Sequence, residues 1–343
     1  MVAVLFYKIL YLEYNCLIIF DNLLNMNEIL KSCKFVSENS KHVKINENKL
    51  VEFTKHFSPE NIQHWFAMSP FDLTKLDSKE LLNFLLIFNS LNFSYWGKPK
   101  WEITYQGQKI KGGSYCMITS LGKAIENDFS ILDAKYLSQI SENDLAKILE
   151  GTIEIPLFQE RLQIIREVGK SLLANFSGNF FNLIKQSNND SQKIIELLIK
   201  YFPSFKDETN YKGQQIYFYK RAQILINDIS QTSKEPFCKI KNIEELTACA
   251  DYKVPFVLRR LGILEYNEQL SHKIDNNIEL KKDSEEEIEI RANTVWANEI
   301  IKQKVQEKFP DITAIQINDA LWLEGRKDFP NDKPHHLTRT TAY

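Results

Sequence analysis

Apolar residues recur at three- and four-residue intervals through most of the chain from residue 26 onward. The segments are NEILKSCKFVSENS, NKLVEFTKHF, SKELLNFLLIFNSLNF, GSYCMITSLGKAIEN, ENDLAKILEG, IPLFQERLQIIREVGKSLLANF and SQKIIELLIKYF. That spacing places side chains on one stripe of a 3.6-residue helix, so each segment predicts a helix packed by its apolar face. Start signals agree with the periodicity. Ser78 precedes KELL with Glu80 close behind, Ser141 precedes ENDLAKIL, and Pro156 occupies a first helical turn. Extended structure is confined to short pieces: KHVKI near residue 41 reads as a strand, and WEITYQGQKIKGG (101–113), which alternates around Gly107, reads as a hairpin or long loop.

After a polar connection, PSFKDETNYKGQQ, helical periodicity returns in IYFYKRAQILINDIS (216–230) and IEELTACADYKVPFVLRRLGILEYNEQLSHKI (243–274). The second segment reads as two helices with a break between Asp251 and Pro255, because proline lacks an amide proton and biases the preceding residue away from helix. KKDSEEEIEIRANTVWANEII is an acidic loop feeding a helix, and INDALWLEGRKDFPNDKPHHLTRTTAY is a helix followed by an irregular tail. Residues 1–25 form an apolar leader or a misassigned start. Lys8, Glu13 and Asn15 interrupt the apolar run, no small-residue cleavage site follows it, and Met26 opens an ordinary helical pattern, so no membrane anchor is expected unless the leader is real. Residues 26–343 read as one helical domain, with two lobes at about 26–205 and 206–343 as the alternative division.

Composition sharpens the fold class to all-α. Gly 11 and Pro 10 together make 21 of 343 residues, about half the roughly 12% of average proteins. Sandwiches, barrels and nucleotide-binding α/β folds need far more such turns and loops. The charge balance, Lys+Arg 43 against Asp+Glu 45, lacks the basic excess that drives stable binding to long nucleic acid, and a small-molecule or protein partner fits better. Five scattered cysteines (Cys16, Cys33, Cys116, Cys238, Cys249) without a CxxC pair form neither a disulfide framework nor a zinc site, which points to the reducing cytosol.

Several familiar motifs fail. Gly169-Lys170-Ser171 lacks the upstream glycine of a phosphate loop, since Ile164 stands there, and reads as helix surface. His335 and His336 lie adjacent on an irregular tail and do not converge on one metal ion without further ligands. Phe93, Tyr95 and Trp96 read as core packing.

Eight ordered blocks, taken together, resemble the queuosine salvage protein family, the queuosine 5′-monophosphate N-glycosylases. They are SCKFVSENSKHVKI, LNFSYWG, GGSYCMITSLGKAI, IPLFQERLQIIREVG, YFYKRAQILINDI, LTACADYKVPFVLRRLGIL, IEIRANTVWANEII, and INDALW with HHLTRTTAY. The resemblance implies an all-helical architecture similar to that of helix-hairpin-helix DNA glycosylases. It implies hydrolysis of queuosine 5′-monophosphate to release queuine for tRNA modification, without a cofactor or metal. By motif position Asp251 is the carboxylate at the sugar, and its alternative is a helix-capping acid or a partner for Arg259 or Arg260. Lys220 is assigned to phosphate and sugar, its alternative being a surface lysine. Asp228 either orients Lys220 or is an exposed acid. The base pocket is assigned to His42, Cys249, Tyr252, Asn318, Asp319 and Trp322. Cys249 stands where members of the family commonly carry Phe, and the acid that meets the base falls at 318 or 319. The other readings are a base-excision glycosylase acting on nucleic acid and a non-enzymatic helical adaptor.

Overall fold

The computed structural model describes residues 26–343 other than 61, 63, 233, 234 and 328, so the leader lies outside the described residues. In chain order the elements are α1 (Glu28–Asn39), β1 (Val43–Ile45), α2 (Glu47–His56), α3 (Ser78–Leu91), β2 (Ile103–Tyr105), β3 (Gln108–Ile110), α4 (Gly113–Glu126), α5 (Ala134–Ser138), α6 (Glu142–Ile148) and α7 (Phe158–Phe176). They continue with α8 (Phe181–Gln186), α9 (Ser191–Tyr201), β4 (Glu208–Tyr211), β5 (Gln214–Tyr217), α10 (Lys220–Thr232), α11 (Lys253–Arg260), β6 (Leu264–Tyr266), α12 (Glu268–Asp275), α13 (Glu285–Gln306) and α14 (Ala314–Glu324). The fold is mainly helical. Among the described residues the strands form three antiparallel pairs, β1 with β6, β2 with β3 and β4 with β5.

Local chemistry explains most boundaries. Asp77 and Glu80 close a reciprocal capping box on α3, one residue before the expected Ser78. Ser141 caps α6 and Ser284 caps α13 through their hydroxyls. Pro156 precedes α7 instead of opening it, because Leu157 turns left-handed at φ 57° before the first helical residue. Helix α10 starts at Lys220, later than its periodicity suggests: IYFY is the end of β5 and its exit, with Tyr219 at φ 49°. The segment 243–250 is a short 3-10 turn and an extended run, not a helix. Pro255 sits inside the first turn of α11, where its missing N–H is one of those that no helix start satisfies.

The interior divides into two apolar clusters. The first is built around α3, α4, α7 and α10, and the second around β1, α11, β6, α12 and α13, with Trp322 packed against both. Gly169 is not helix surface: a Cβ there would lie 2.3 Å from the Ser138 backbone nitrogen, so α7 and α5 approach closely only because position 169 is bare. Phe93 and Tyr95 are buried, and the fully buried Arg161 guanidinium lies 4.1 Å from the Phe93 ring centre. Trp96 instead donates its indole N–H to the Thr338 carbonyl at 3.1 Å.

Candidate active site

The segment 247–251 crosses the interior without a sheet partner, so its backbone polar groups must be satisfied by side chains. Gln223 of α10 supplies one: its carboxamide oxygen accepts from Thr247 N at 2.7 Å and its Nε2 donates to Thr247 Oγ1 at 3.0 Å. Asn318 of α14 supplies another, accepting from Cys249 N at 2.9 Å. These two amides hold Asp251 at the start of α11. Its Oδ1 accepts from Lys253 N at 2.7 Å and Val254 N at 3.1 Å, which caps the helix. Oδ2 makes no hydrogen bond among the described residues, and the side chain lines a narrow recess with a cavity volume of about 30 Å³.

Three further polar groups converge there. Lys220, the first residue of α10, is 4% exposed, and its Nζ has no hydrogen bond or ion pair among the described residues. Burial pushes its pKa down, and the nearby Asp251 carboxylate opposes that shift. Asn318 and Asp319 both line the recess. Asn318 spends its oxygen on Cys249, whereas Asp319 keeps a carboxylate at the wall, held by Asn227 Nδ2 at 2.9 Å. Burial raises the Asp319 pKa to about 6, against the lowering effect of His64 and Asn227. Trp65, Trp322 and Ile224 supply the apolar walls, and the two indoles lie 6.1 Å apart at 55°.

Asp228 is neither exposed nor free to orient Lys220. It is fully buried, accepting from Trp65 Nε1 at 3.0 Å and Asn89 Nδ2 at 2.8 Å, with His64 Nε2 at 3.1 Å. Its work is to fix the Trp65 ring that walls the recess. Trp65, Asn92 and Ser114 were not singled out from the sequence, because each lies far along the chain from ADYKVP. Their only signal was membership of the LNFSYWG and GGSYC blocks or, for Trp65, of an aromatic pair.

Of the eight residues singled out beforehand, the recess brings together Asp251, Lys220, Asn318, Asp319 and Trp322. His42 lies elsewhere, beside β1, where its Nδ1 faces Asn267 at 3.1 Å and its Nε2 lies 3.9 Å from Glu285. It is placed there by strand pairing, since Val43 is registered opposite Tyr266. Cys249 is 2% exposed and sits behind the recess, and burial raises its thiol pKa. Tyr252 turns away to pack on the His335 ring at 4.6 Å. His336 is buried apart, 3.3 Å from the Tyr343 hydroxyl, and burial lowers its pKa to about 3.

Among the described residues, one trio brings metal-type ligand atoms together, His42, Glu285 and Glu289. The Glu289 oxygens already accept from the amides of Lys41, His42 and Val43 and from the Tyr211 hydroxyl. That carboxylate is an anchor for β1, with its acceptor positions occupied by N–H and O–H donors.

No described helix is long and apolar enough to cross a membrane. The model of the queuosine salvage protein family matches residues 73–343. The chain is 34% identical over 325 residues to a queuosine 5′-phosphate N-glycosylase/hydrolase of Sphaerobacter thermophilus, covering 92% of this chain and 97% of that protein. It is 31% identical over 346 residues to a protein of the same name from Bos taurus, covering 94% and 100%. A Dictyostelium discoideum protein of that name is 30% identical over 328 residues, covering 92% and 98%. With a family match over most of its length and relatives aligned nearly end to end, the chain belongs to the queuosine salvage protein family.

Proposed function

We propose that the chain hydrolyses the N-glycosidic bond of queuosine 5′-monophosphate and releases queuine in the cytosol. One observation carries the reading: an Asp251 carboxylate oxygen and the Lys220 side-chain nitrogen, neither with a hydrogen bond among the described residues, share one recess with two indole walls. As the C–N bond breaks, its electron pair leaves with the base and the sugar becomes oxocarbenium-like. A fixed carboxylate stabilises that charge without reorganising. Asp251 is suited to this because its other oxygen is pinned by two backbone amides, so Oδ2 has a defined direction. Water adds to the anomeric carbon and loses a proton, and the base takes one up.

Lys220 balances Asp251 before the bond breaks and meets the sugar. The base stacks on the indole walls, and Asp319 faces its cationic amine side arm. Cys33, Cys116 and Cys249 are free and buried, in keeping with a reducing compartment. The test is base release from the 5′-monophosphate by purified protein, followed chromatographically. Absence of queuine with intact, folded protein would refute the reading.

A further inference from the structure

The stretches IEIRANTVWANEII and HHLTRTTAY contribute no wall to the recess among the described residues. One side chain of the first nevertheless reaches the backbone beside Asp251. Arg291 of α13 is buried, and its Nη1 and Nη2 donate to the two carboxylate oxygens of Asp207 at 2.9 and 2.6 Å. Its Nε donates to the Ala250 carbonyl at 3.2 Å. Ala250 immediately precedes Asp251, so the guanidinium fixes the peptide from which the Asp251 side chain departs.

Asp207 does the same for Lys220. It is buried just before β4; its carbonyl accepts from Phe218 N at 3.1 Å and Tyr219 N at 3.3 Å, and its Oδ2 accepts from Lys220 N at 3.2 Å. Three successive amides converge on this one residue across the turn where Tyr219 takes φ 49°. A residue with a Cβ adopts that left-handed conformation at a cost, which the bonds to Asp207 oppose.

The ion pair is enclosed in turn. The ring centres of Phe218 and Tyr343 lie 3.9 and 4.5 Å from the guanidinium carbon. The Tyr343 hydroxyl donates at 2.8 Å to Glu287, one turn earlier on α13, and Glu287 Oε1 lies 3.7 Å from Arg291 Nε. A buried ion pair adds little net stability over a well-packed apolar replacement. What the bidentate fork adds is direction.

We propose that Asp207 and Arg291 are a positioning pair, which holds the peptide before Asp251 and the first amide of α10 together and so sets the separation of the Asp251 carboxylate from the Lys220 ammonium. The inference rests on the reading of those two groups given above. Neither member of the pair touches the substrate. Each acts through the backbone of a residue that does, and a misplacement of about 1 Å at such a site costs about 10² in rate.

The test uses wild type, Arg291→Lys, Asp207→Asn, the double variant, and Ile274→Ala as a destabilised control from α12, which lines no part of the recess. Single-turnover base release is measured at a temperature where each protein is folded by circular dichroism. Arg291→Lys keeps the charge but loses the fork, and Asp207→Asn keeps an acceptor but loses the ion pair. In each, kcat falls about 30-fold or more while KM stays within about threefold, and the double variant loses no more than about threefold beyond the worse single one, as expected of residues that act as a unit. Ile274→Ala keeps kcat within about threefold. A kcat within about threefold of wild type in both pair variants, or losses no larger than in the control, overturns the proposal. Unfolding of both pair variants overturns it as well, since the pair would then hold the fold and not the spacing.

A second readout does not depend on turnover. Burial lowers the Lys220 pKa; Asp251 and Cys249 oppose the lowering, Arg221 adds to it and Asp228 opposes it. The Lys220 pKa is followed by NMR of carbon-13 lysine, with its peak assigned by loss in Lys220→Met. The drop caused by Asp251→Asn measures the coupling of the two groups, and it shrinks by about half or more in an Arg291→Lys background. If the wild type releases no base, the functional reading fails and this coupling alone decides: an equal drop in both backgrounds overturns the positioning role.

Discussion

Replacing Asp251 by Asn is expected to separate the proposed chemistry from folding, because one carboxylate oxygen is committed to backbone amides and the other is not. Oδ1 caps α11 through Lys253 N and Val254 N, and an asparagine oxygen accepts the same two bonds. What is lost in the folded protein is one negative charge at a helix start, about 0.3–1 kcal/mol. Lys220 also loses the carboxylate that opposes its pKa depression. It limits that cost by shedding its proton more readily, as a buried lysine does. A change of about 1 kcal/mol lowers Tm by only about 1–3 °C in a chain of this size.

The chemical step loses far more. Removing one preorganised electrostatic contact to a transition state typically costs about 10²–10³ in kcat. In the proposed mechanism the group removed sits under the developing cation, so kcat is expected to fall by about 10³ or more, equivalent to about 4 kcal/mol. Single-turnover release of queuine, measured beside thermal unfolding on the same preparation, gives both numbers. Asp251→Ala supplies the contrast, since it also removes the cap and adds about 1–2 kcal/mol of destabilisation. A kcat for Asp251→Asn within threefold of wild type would refute the assignment. So would a Tm drop of ten degrees that accounts for the lost activity by unfolding.

Other consequences follow from the same geometry. The Asp319 pKa is raised to about 6 from about 3.9 in an unfolded chain, so the native state binds the extra proton between those values and stability declines as pH rises from about 4 to about 6. Asp319→Asn therefore flattens that part of the Tm-against-pH curve and is more stable at pH 7, while wild-type KM for an amine-bearing base rises below about pH 6; an unchanged slope in the variant would count against both statements. Glu289→Ala strands the amides of Lys41, His42 and Val43 and costs about 3–5 kcal/mol in urea unfolding. Arg161→Met leaves the carbonyls of Leu91, Phe93 and Pro156 without their guanidinium donor and costs a similar amount, about 3–5 kcal/mol, read in the same assay; a midpoint shift under about 1 kcal/mol would show the guanidinium to be dispensable.

The helical character of this protein was set locally. Three- and four-residue spacing is a property of ten or twenty consecutive residues, and a cap such as Ser141 acts within one turn, so α1, α4, α6, α9 and α13 were legible before any packing was known. The errors fell where neighbours outside the segment decide. The stretch IYFY joined a helical pattern in sequence but pairs with β4 in space, and ETNYKGQQ looked like a polar link although Lys212 and Gly213 turn it into a hairpin.

The site divides the same way. ADYKVP, YFYKRAQ and INDALW marked Asp251, Lys220, Asn318, Asp319 and Trp322 through family resemblance, and each block is short. Only the tertiary structure decided that Trp65, Asn92 and Ser114 share their recess, that Asp228 is a buried anchor, and that His42 stands apart. The recess forms where the end of α3, the start of α4, the start of α10, the 247–251 segment and α14 meet. Contacts between such distant segments are fixed by which apolar faces bury one another and by which buried polar groups find partners. No local pattern along the chain encodes either.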